Sequence, residues 1–427
     1  MYNKAKLKPS SCVLIFIVIY ALFAFRRIKA IGLPYLNGTV LNNLIIVIPL
    51  LALFLVFICA NKFCFEKRLS RLFLLFVFIS LISLFNYKSI AQSLYAFFLF
   101  LVPILLFFCV GKNEYHSFGR IVTLFVLLSL AYSVLAIIAS FNYGTLLSKI
   151  GITNIDDQYN SQYRASLMIG SGITVSYFLN ATLPLAFLKL YTTGKKRTKL
   201  FYIVVIILNA AATIIENSRL AVASMLLIIL FCSFFFKKQD FKNLWKKFFV
   251  VIASGIVLLV LINRIDVSRL FMGFKDASTS ERMDAFKLAI HIFRKNPLFG
   301  KGLGTYFYRA WSDQRYITVD GITGLIDPHN TQALLLAETG LIGTALFYLF
   351  LFFVFVKFIK IQNILVKKTA IIFFVAYLLG SLGGTQLITE ISYSSIIWIM
   401  MGLFYGYYHW EKNESVGRYL SRYKYRS

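Results

Sequence analysis

Charged side chains are scarce in this 427-residue sequence. They make up 15% of the residues, whereas 59% are hydrophobic and 17% are aromatic. A soluble protein has no use for that much apolar surface, so the composition excludes that class. Apolar stretches of about 17 to 25 residues recur along the chain, and this is the length that crosses a bilayer as a helix. The sequence therefore predicts an all-α, polytopic membrane protein.

Cysteine is also scarce, and it is absent from every predicted outer loop. No CxxC pair occurs, which excludes a disulfide framework and a cysteine-based zinc site. The five cysteines fall in predicted spans or cytoplasmic loops: Cys12, Cys59, Cys64, Cys109 and Cys232. Clustered carboxylates with metal-ligand spacing are lacking too. We therefore expect neither a metal ion nor another cofactor.

About twelve apolar segments are long enough to be considered as spans. Some are short, so a few are tilted or longer than their apolar core. They lie near residues 10–25, 40–60, 72–86, 93–110, 121–141, 166–190, 200–216, 219–236, 248–263, 341–359, 369–389 and 392–410. The first of them reads as a retained anchor, because no small-residue cleavage site follows it.

The net charge of +28 is distributed between these spans. Lys and Arg concentrate in alternate short loops, as in "GKKRTK" and "KKQDFKNLWKK", rather than on one soluble domain. This pattern excludes nucleic acid as a partner and indicates contact with anionic lipid headgroups. By the positive-inside rule both termini face the cytoplasm; only "RRIK" at 26–29 falls on the outer side.

The same topology divides the chain into three parts. Residues 1–263 form an N-terminal bundle of about nine spans, 264–340 form a large outer loop, and 341–427 hold the last spans and a basic cytoplasmic tail. Within the loop, "ASTSERMDAFKLAIHIFRKNP" predicts an amphipathic helix that begins with a capping box formed by Ser278 and Glu281 and ends at Pro297.

The apolar face of this helix is predicted to lie on the membrane or against the bundle. It consists of Met283, Phe286, Ile290 and Phe293. The glycine-rich turn that follows, "NPLFGKGLGTYFYRAW", has a G-x-G spacing that is typical of nucleotide sites. Because it follows no strand and lies in a compartment without nucleotides, we favour a tight turn at the membrane interface.

The outer loop also carries His329, in "GLIDPHNTQALLLAETGLIG". Asp327 is suited to cap a helix and Pro328 to open it, which places His329 and Asn330 in the first turn. A helix N-terminus favours the neutral imidazole, which can accept a proton, and it attracts anionic ligands. The alternative is a histidine that only caps a helix at the membrane interface.

Two arginines on the outer side are candidates for binding phosphate. Arg219 stands between two spans in "IIENSRLAVA", and Arg282 opens the amphipathic helix. Cations at these places are costly unless they are paired or functional. Glu216 is an alternative partner for Arg219, and Glu281 and Asp284 are alternatives for Arg282. Guanidinium groups match phosphate oxygens, so a candidate base with two arginines indicates metal-independent chemistry on a phosphorylated lipid.

These motifs, taken in order, resemble the family of O-antigen ligases and Wzy-type polysaccharide polymerases. The resemblance rests on "ENSRLAVA", "SERMDAFKLAIHIF", "NPLFGKGLGTY" and "DPHNTQALLLAETGLIG" and covers roughly 215–345. It implies a GT-C-like glycosyltransferase in the bacterial cytoplasmic (inner) membrane that uses an undecaprenyl-diphosphate-linked glycan on the outer face.

Carried onto this sequence, the resemblance implies that His329 is the catalytic base. Arg219 and Arg282 would then bind the diphosphate, and Asn330 and Glu338 would support the site. It implies a glycan or lipid A-core acceptor, and membrane lipids and other polysaccharide-assembly proteins as partners. A polymerase is the favoured activity, because nothing in the sequence establishes the envelope that lipid A-core requires. The alternatives are a ligase and a transporter of lipid-linked sugars.

Overall fold

The computed structural model describes residues 67–84, 90–113, 118–141, 154–155, 165–167, 169, 171–216, 218–236, 277–304, 316–319, 321–325, 328–385 and 390–424. The predicted spans at 10–25, 40–60 and 248–263 lie outside these residues, as does Asp327.

Ten helices occupy most of the described chain. Six of them are long and apolar enough to cross a membrane, so the chain is a multi-pass membrane protein. The helices are α1 (Lys67–Leu84), α2 (Ile90–Asn113), α3 (Phe118–Phe141), α4 (Gly172–Thr192), α5 (Lys196–Ile215), α6 (Arg219–Phe236), α7 (Ala277–Lys295), α8 (Thr331–Ile359), α9 (Ile364–Gly383) and α10 (Ile391–Lys424).

Each predicted span that falls on described residues coincides with one of these helices. Helix α9 is shifted as a whole: it runs from Ile364 to Gly383 where the apolar pattern predicts 369–389. Its start is earlier because Asn363 caps the helix, accepting hydrogen bonds from the N–H groups of Leu365 and Val366 at 3.1 and 3.2 Å. Capping is a local hydrogen-bond effect that a hydropathy pattern does not contain.

The described chain is mostly helical, as predicted, and two small antiparallel sheets occur in the loops that the sequence assigns to the outer side. Strands β1 (Asn154–Ile155) and β2 (Ala165–Ser166) form one of them. Strands β3 (Tyr316–Val319) and β4 (Ile322–Leu325) form a hairpin in which Val319 pairs with Ile322. The two-residue connection is Asp-Gly, with Gly321 at φ 81°. Asp-Gly is a typical two-residue hairpin connection, and the prediction did not use this signal.

Helix α4 is the centre of the bundle. It packs against α3, α5, α6 and α9, and its residues from 174 to 188 are all buried. Polar side chains fix its neighbours: Asn180 Nδ2 donates to the Ala221 carbonyl of α6 at 2.7 Å. Between α3 and α5, Ser133 Oγ donates to Asn209 Oδ1 at 2.6 Å. Such interhelical hydrogen bonds fix the register of helices where lipid supplies no competing partner.

The loops at the basic end of the bundle contact one another as the predicted alternation requires. Lys189 at the end of α4 donates to the Gly119 carbonyl at the start of α3, at 2.5 Å. Lys368 near the start of α9 donates to the Phe235 carbonyl at the end of α6. Each pair joins the ends of two helices, and the loops next to those ends are assigned by the sequence to the same side of the membrane. The opposite ends of α4, α6 and α9 therefore lie together at the other side.

Helix α8 is broken at Gly340, which has φ 67° and ψ −170°. The glycine-rich loop 296–304 fills the break and satisfies backbone groups that the interrupted helix leaves open. Four backbone hydrogen bonds join them: Lys301 N–H to Ala337 (2.8 Å), Gly302 N–H to Glu338 (3.0 Å), Leu341 N–H to Pro297 (2.8 Å) and Ile342 N–H to Leu298 (3.2 Å).

This arrangement explains the G-x-G spacing of the loop. Gly300 and Gly302 have φ of 72° and 110°, and a Cβ on Gly300 would overlap the Glu338 carbonyl group. The Gly302 N–H that a nucleotide phosphate would need already serves a helix carbonyl. The glycines are therefore required by a helix break and not by a nucleotide.

Candidate active site

His329 lies immediately before helix α8 rather than in its first turn. The helix begins at Thr331, and Asn330 is its cap: the side-chain oxygen of Asn330 accepts a hydrogen bond from the Ala333 N–H at 2.8 Å. The prediction that Asp327 caps the helix and Pro328 opens it is therefore wrong. Asn330 competes for the same role, and a further contact of its side chain with α9 favours it.

The backbone of His329 is in the left-handed region, with φ 49°. Among the described residues it is the only one other than glycine with positive φ. This conformation costs an L-residue with a Cβ roughly 1–2 kcal/mol. Strain of this kind accumulates at functional sites, where the surrounding structure holds it in place. The backbone thus supports a functional role for His329 over that of a simple surface cap.

Helix α9 supplies the restraint on this turn. Asn330 Nδ2 donates to the Leu382 carbonyl at 3.2 Å, and Thr331 Oγ1 donates to the Gly384 carbonyl at 2.7 Å. Gln332 Nε2 donates to Ser381 Oγ at 2.9 Å. Three successive residues after His329 are therefore bound to the C-terminal end of α9. Asn330 therefore caps α8 and also tethers its start to α9.

Arg219 is the first residue of α6. The first turn of this helix is closed by a hydrogen bond from the Val222 N–H to the Ser218 carbonyl at 2.8 Å, and Ser218 itself is buried. Asn180 holds the next part of the first turn to α4 through the Ala221 carbonyl. The half-buried Arg219 thus starts a helix whose N-terminus is fixed on two sides, and that N-terminus adds partial positive charge to the guanidinium.

Arg282 lies in the second turn of α7, which packs between the β3–β4 hairpin and α8. The helix begins at Ala277, so Ser278 lies inside it and is not its cap. Gly324 of β4 sits directly on Ala285, where an added Cβ would lie 3.0 Å from the Ala285 Cα. The Asp284 carboxylate lies 3.0 Å from Lys287 Nζ and forms an ion pair with that lysine.

The sequence allowed two placements for the predicted apolar face of α7, on the membrane or against the bundle, and a different face packs against the protein. The buried residues are Ala285, Leu288, Ala289 and Ile292. Met283 and Phe286 of the predicted face are 48% and 39% exposed. The helix therefore has apolar residues on two sides, and small alanines allow close approach on one of them. At 100° per residue, Arg282 falls on the boundary between the two faces.

Tyr177 of α4 brings these elements together. A Cβ on Gly383 of α9 would overlap both its hydroxyl and the Leu220 side chain at the start of α6. The Arg282 guanidinium lies within electrostatic range of the same hydroxyl. The N-terminus of α6 and the end of α9 therefore meet beside one tyrosine oxygen, and the turn holding His329 is bound to that same end of α9.

Glu338 lies apart from this convergence. It is buried at the far end of the short helical segment 331–339, about 12 Å along the helix from Asn330. Its carbonyl accepts the hydrogen bond from Gly302. The structure thus places Glu338 at the break in α8.

A comparison with known families covers all of these residues except Tyr177 and the end of α9. Residues 204–348 match the family model described as O-antigen ligase. No curated protein sequence gives a match.

The resemblance to the O-antigen ligase and Wzy-type polymerase family is confirmed over that region. It contains every candidate site residue that the sequence predicted: Arg219, Arg282, His329, Asn330 and Glu338. Tyr177 went unnoticed because it is one of 25 tyrosines and lies in a continuous apolar run.

Proposed function

We propose that this protein is a metal-independent, inverting glycosyltransferase of the bacterial cytoplasmic membrane. It transfers a glycan from an undecaprenyl-diphosphate-linked donor at the outer face, within a GT-C-like bundle of about twelve spans whose termini are cytoplasmic. The family match to O-antigen ligase supports the reaction class. The lipid-linked donor and the orientation follow from the resemblance and from the distribution of basic loops.

One observation carries this proposal. The N-terminus of α6, with Arg219 as its first residue, meets the end of α9 beside the Tyr177 hydroxyl, and Arg282 lies within electrostatic range of that hydroxyl. Beside them stands a histidine with a strained backbone, tethered to α9. Two guanidinium groups and a helix N-terminus suit a diphosphate, because planar forks bind phosphate oxygens and free N–H groups favour negative charge.

The chemistry assigned to these residues is a single displacement. His329 accepts the proton of the acceptor hydroxyl as that oxygen forms a bond to the anomeric carbon. The bond from the anomeric carbon to the phosphate oxygen breaks, and undecaprenyl diphosphate departs with the electron pair. Arg219 and Arg282 stabilise the charge that develops on the departing group. General base assistance of this kind is worth about 10² to 10⁴ in rate.

A polymerase is our first assignment, in which the acceptor is a second lipid-linked repeat unit. A ligase, which attaches the glycan to lipid A-core, is the second candidate. The description of the matched family favours a ligase. Nothing in the sequence points to the envelope that carries lipid A-core, so the polymerase remains first.

A transporter for lipid-linked sugars is the remaining alternative. Transporters place ionisable side chains near the middle of the membrane, often at broken helices. Here Arg219 and His329 lie at or before helix N-termini, and Arg282 lies in the second turn of α7. This distribution favours chemistry at the membrane surface.

The test is a transfer reaction with purified protein in nanodiscs and an undecaprenyl-diphosphate-linked oligosaccharide. A ladder of longer lipid-linked products identifies a polymerase, and transfer only after addition of lipid A-core identifies a ligase. We expect His329→Ala to lose at least 100-fold in rate, while His291→Ala, which changes a histidine on α7 outside the site, retains activity. Normal turnover by a well-folded His329→Ala protein would overturn the role of the base.

A further inference from the structure

Helix α7 has two opposite apolar sides, and the described part of the chain covers one of them. On the covered side, strand β4 lies against Ala285 through Gly324. The other side carries, at 100° per residue, an apolar stripe about 80° wide along the helix. This outer stripe consists of the exposed Met283 and Phe286 and the half-buried Ile290 and Phe293. An exposed apolar stripe of this length indicates contact with another apolar phase.

The level of the membrane beside α7 follows from α8, which is long and apolar enough to cross it. The part of α8 after the break, 341–359, is about 28 Å long at 1.5 Å per residue, close to the ~30 Å thickness of the hydrocarbon layer. Its large exposed apolar side chains recur on one side of the helix, which is therefore the lipid-facing side: Leu341, Leu349, Phe352 and Ile359. Leu341 thus lies at the outer edge of the hydrocarbon layer.

Leu298, three residues after the end of α7, continues this lipid-facing side. Its carbonyl accepts a hydrogen bond from the Ile342 N–H at 3.2 Å, and the preceding carbonyl, of Pro297, accepts one from the Leu341 N–H at 2.8 Å. The Leu298 and Leu341 side chains are 54% and 55% exposed. The C-terminal end of α7 is therefore fixed beside the edge of the bilayer.

The outer stripe decides how α7 runs from this fixed end. A helix standing upright on the membrane would carry Met283 about 18 Å away from the level of Lys295 and expose the stripe to water. A helix lying along the surface keeps the whole stripe in contact with lipid, while its opposite side stays on the protein. The second arrangement satisfies both apolar sides.

Exposed basic side chains accompany the stripe at this end of α7. Arg294 and Lys295 form part of the last turn, and Lys301 follows in the glycine-rich loop. Helices that lie in the membrane interface combine an apolar side with Lys and Arg, which reach the phosphates of anionic lipids. The charges and the continuity with the lipid-facing side of α8 favour a lipid leaflet as the occupant over a second protein.

We propose that the outer stripe of α7 is embedded in the adjacent membrane leaflet, with Arg294, Lys295 and Lys301 at the phosphates of anionic phospholipids. This lipid contact goes beyond the proposed function and does not depend on it. One consequence does rest on the proposed function: Arg282, on the boundary between the two sides of α7, lies at the headgroup level, where the diphosphate of a lipid-linked donor moves.

The depth of the stripe is measurable with a nitroxide label attached through Met283→Cys or Phe286→Cys. The full-length protein, with its five native cysteines replaced by alanine, is reconstituted in nanodiscs of phosphatidylcholine and phosphatidylglycerol. Thr318→Cys is the matched control, because Thr318 is an exposed residue of the hairpin that covers the opposite side of α7. Relaxation by oxygen and by a water-soluble nickel chelate should place the stripe labels about 5–10 Å below the headgroup boundary and the control label in water.

Two results would overturn the lipid contact. Stripe labels that nickel reaches as readily as the control label would show that the stripe faces water. Labels shielded from both oxygen and nickel would show that protein covers it.

A charge reversal tests the headgroup contact separately. Arg294→Glu combined with Lys301→Glu should move the label at position 286 toward water in nanodiscs that contain phosphatidylglycerol, and should leave its depth unchanged in pure phosphatidylcholine. An unchanged depth in the anionic lipid would overturn the contact with phosphates. Depth is measured without any transfer reaction. Absence of transfer by the wild-type protein would therefore refute the proposed function and leave the lipid contact standing.

Discussion

The side-chain amide of Asn330 donates a hydrogen bond to the backbone carbonyl of Leu382, 3.2 Å away, while the oxygen of the same amide caps helix α8. One residue thereby fixes both the start of a helix and its distance from α9. Because His329 precedes it directly, the position of the candidate base depends on both hydrogen bonds.

Two substitutions of Asn330 separate these roles. Asn330→Asp keeps the capping oxygen and loses the donor to Leu382, so we expect stability near that of the wild type but slower transfer. Asn330→Ala loses both and should lower the free energy of unfolding by about 0.5–2 kcal/mol. Thermal unfolding and transfer rates measure the two effects. Full activity of a stable Asn330→Asp protein would show that the tether is dispensable.

The strained backbone of His329 gives a second prediction. Glycine adopts φ 49° without the cost that a Cβ imposes, so His329→Gly should be more stable than His329→Ala by about 1 kcal/mol. Both variants should be inactive, since neither accepts a proton. The comparison is made by chemical or thermal unfolding in detergent. Equal stability of the two would argue that the turn relaxes once the imidazole is removed.

We expect that lysine cannot substitute for Arg282 in catalysis. We expect Arg282→Lys to reduce kcat/KM about 10- to 100-fold, because an ammonium group does not form the planar fork that binds two phosphate oxygens. Arg294→Lys, at the exposed end of the same helix, is the matched control and should behave as the wild type. Initial rates at several donor concentrations give kcat/KM for each variant. Wild-type turnover by Arg282→Lys would show that Arg282 does not bind phosphate through its planar fork.

A graded series of glycine substitutions tests the break in α8. Gly340→Ala places a Cβ against the backbone of Leu298 and Gly300, so little folded protein should accumulate. Gly321→Ala meets no atom within 4 Å but has φ 81°, and should lose about 1 kcal/mol. Gly194→Ala, which has open space and no such φ, should be neutral. Monodisperse yield from size-exclusion chromatography ranks them; a well-folded Gly340→Ala protein would contradict the close packing.

Hydropathy predicted the helices well because each span is a local property of its own residues. The segment 219–236 coincides with α6, and Pro297 correctly marks the end of α7 near Lys295. The hairpin at 316–325 was missed although its Asp-Gly turn is also local, because the loop was interpreted through its helix alone. The division into 1–263, 264–340 and 341–427 stays a prediction.

The candidate site was predictable only in part. Arg219, Arg282 and His329 stood out because charges near a membrane are costly and rare. Asp327 was predicted as the cap, whereas Asn330 caps α8 and also donates to Leu382, some fifty residues away, a contact that no local pattern contains. The surroundings of Tyr177 depend on α4, α6 and α9 meeting at one point. Such a meeting is set by tertiary packing, which the sequence of any one segment does not encode.

The break at Gly340 also bears on how this protein is recognised. Backbone atoms fill the space beside Gly300 and Gly340, so a side chain at either position is rejected by collision, whatever glycan is handled. A sequence signature built on "NPLFGKGLG" and "AETGLIG" therefore marks the packing of the 296–304 loop against the break in α8. It carries no information about the acceptor. Such a signature would not separate a polymerase from a ligase if both share this packing. The residues that distinguish the two activities must be sought among those that face the acceptor hydroxyl.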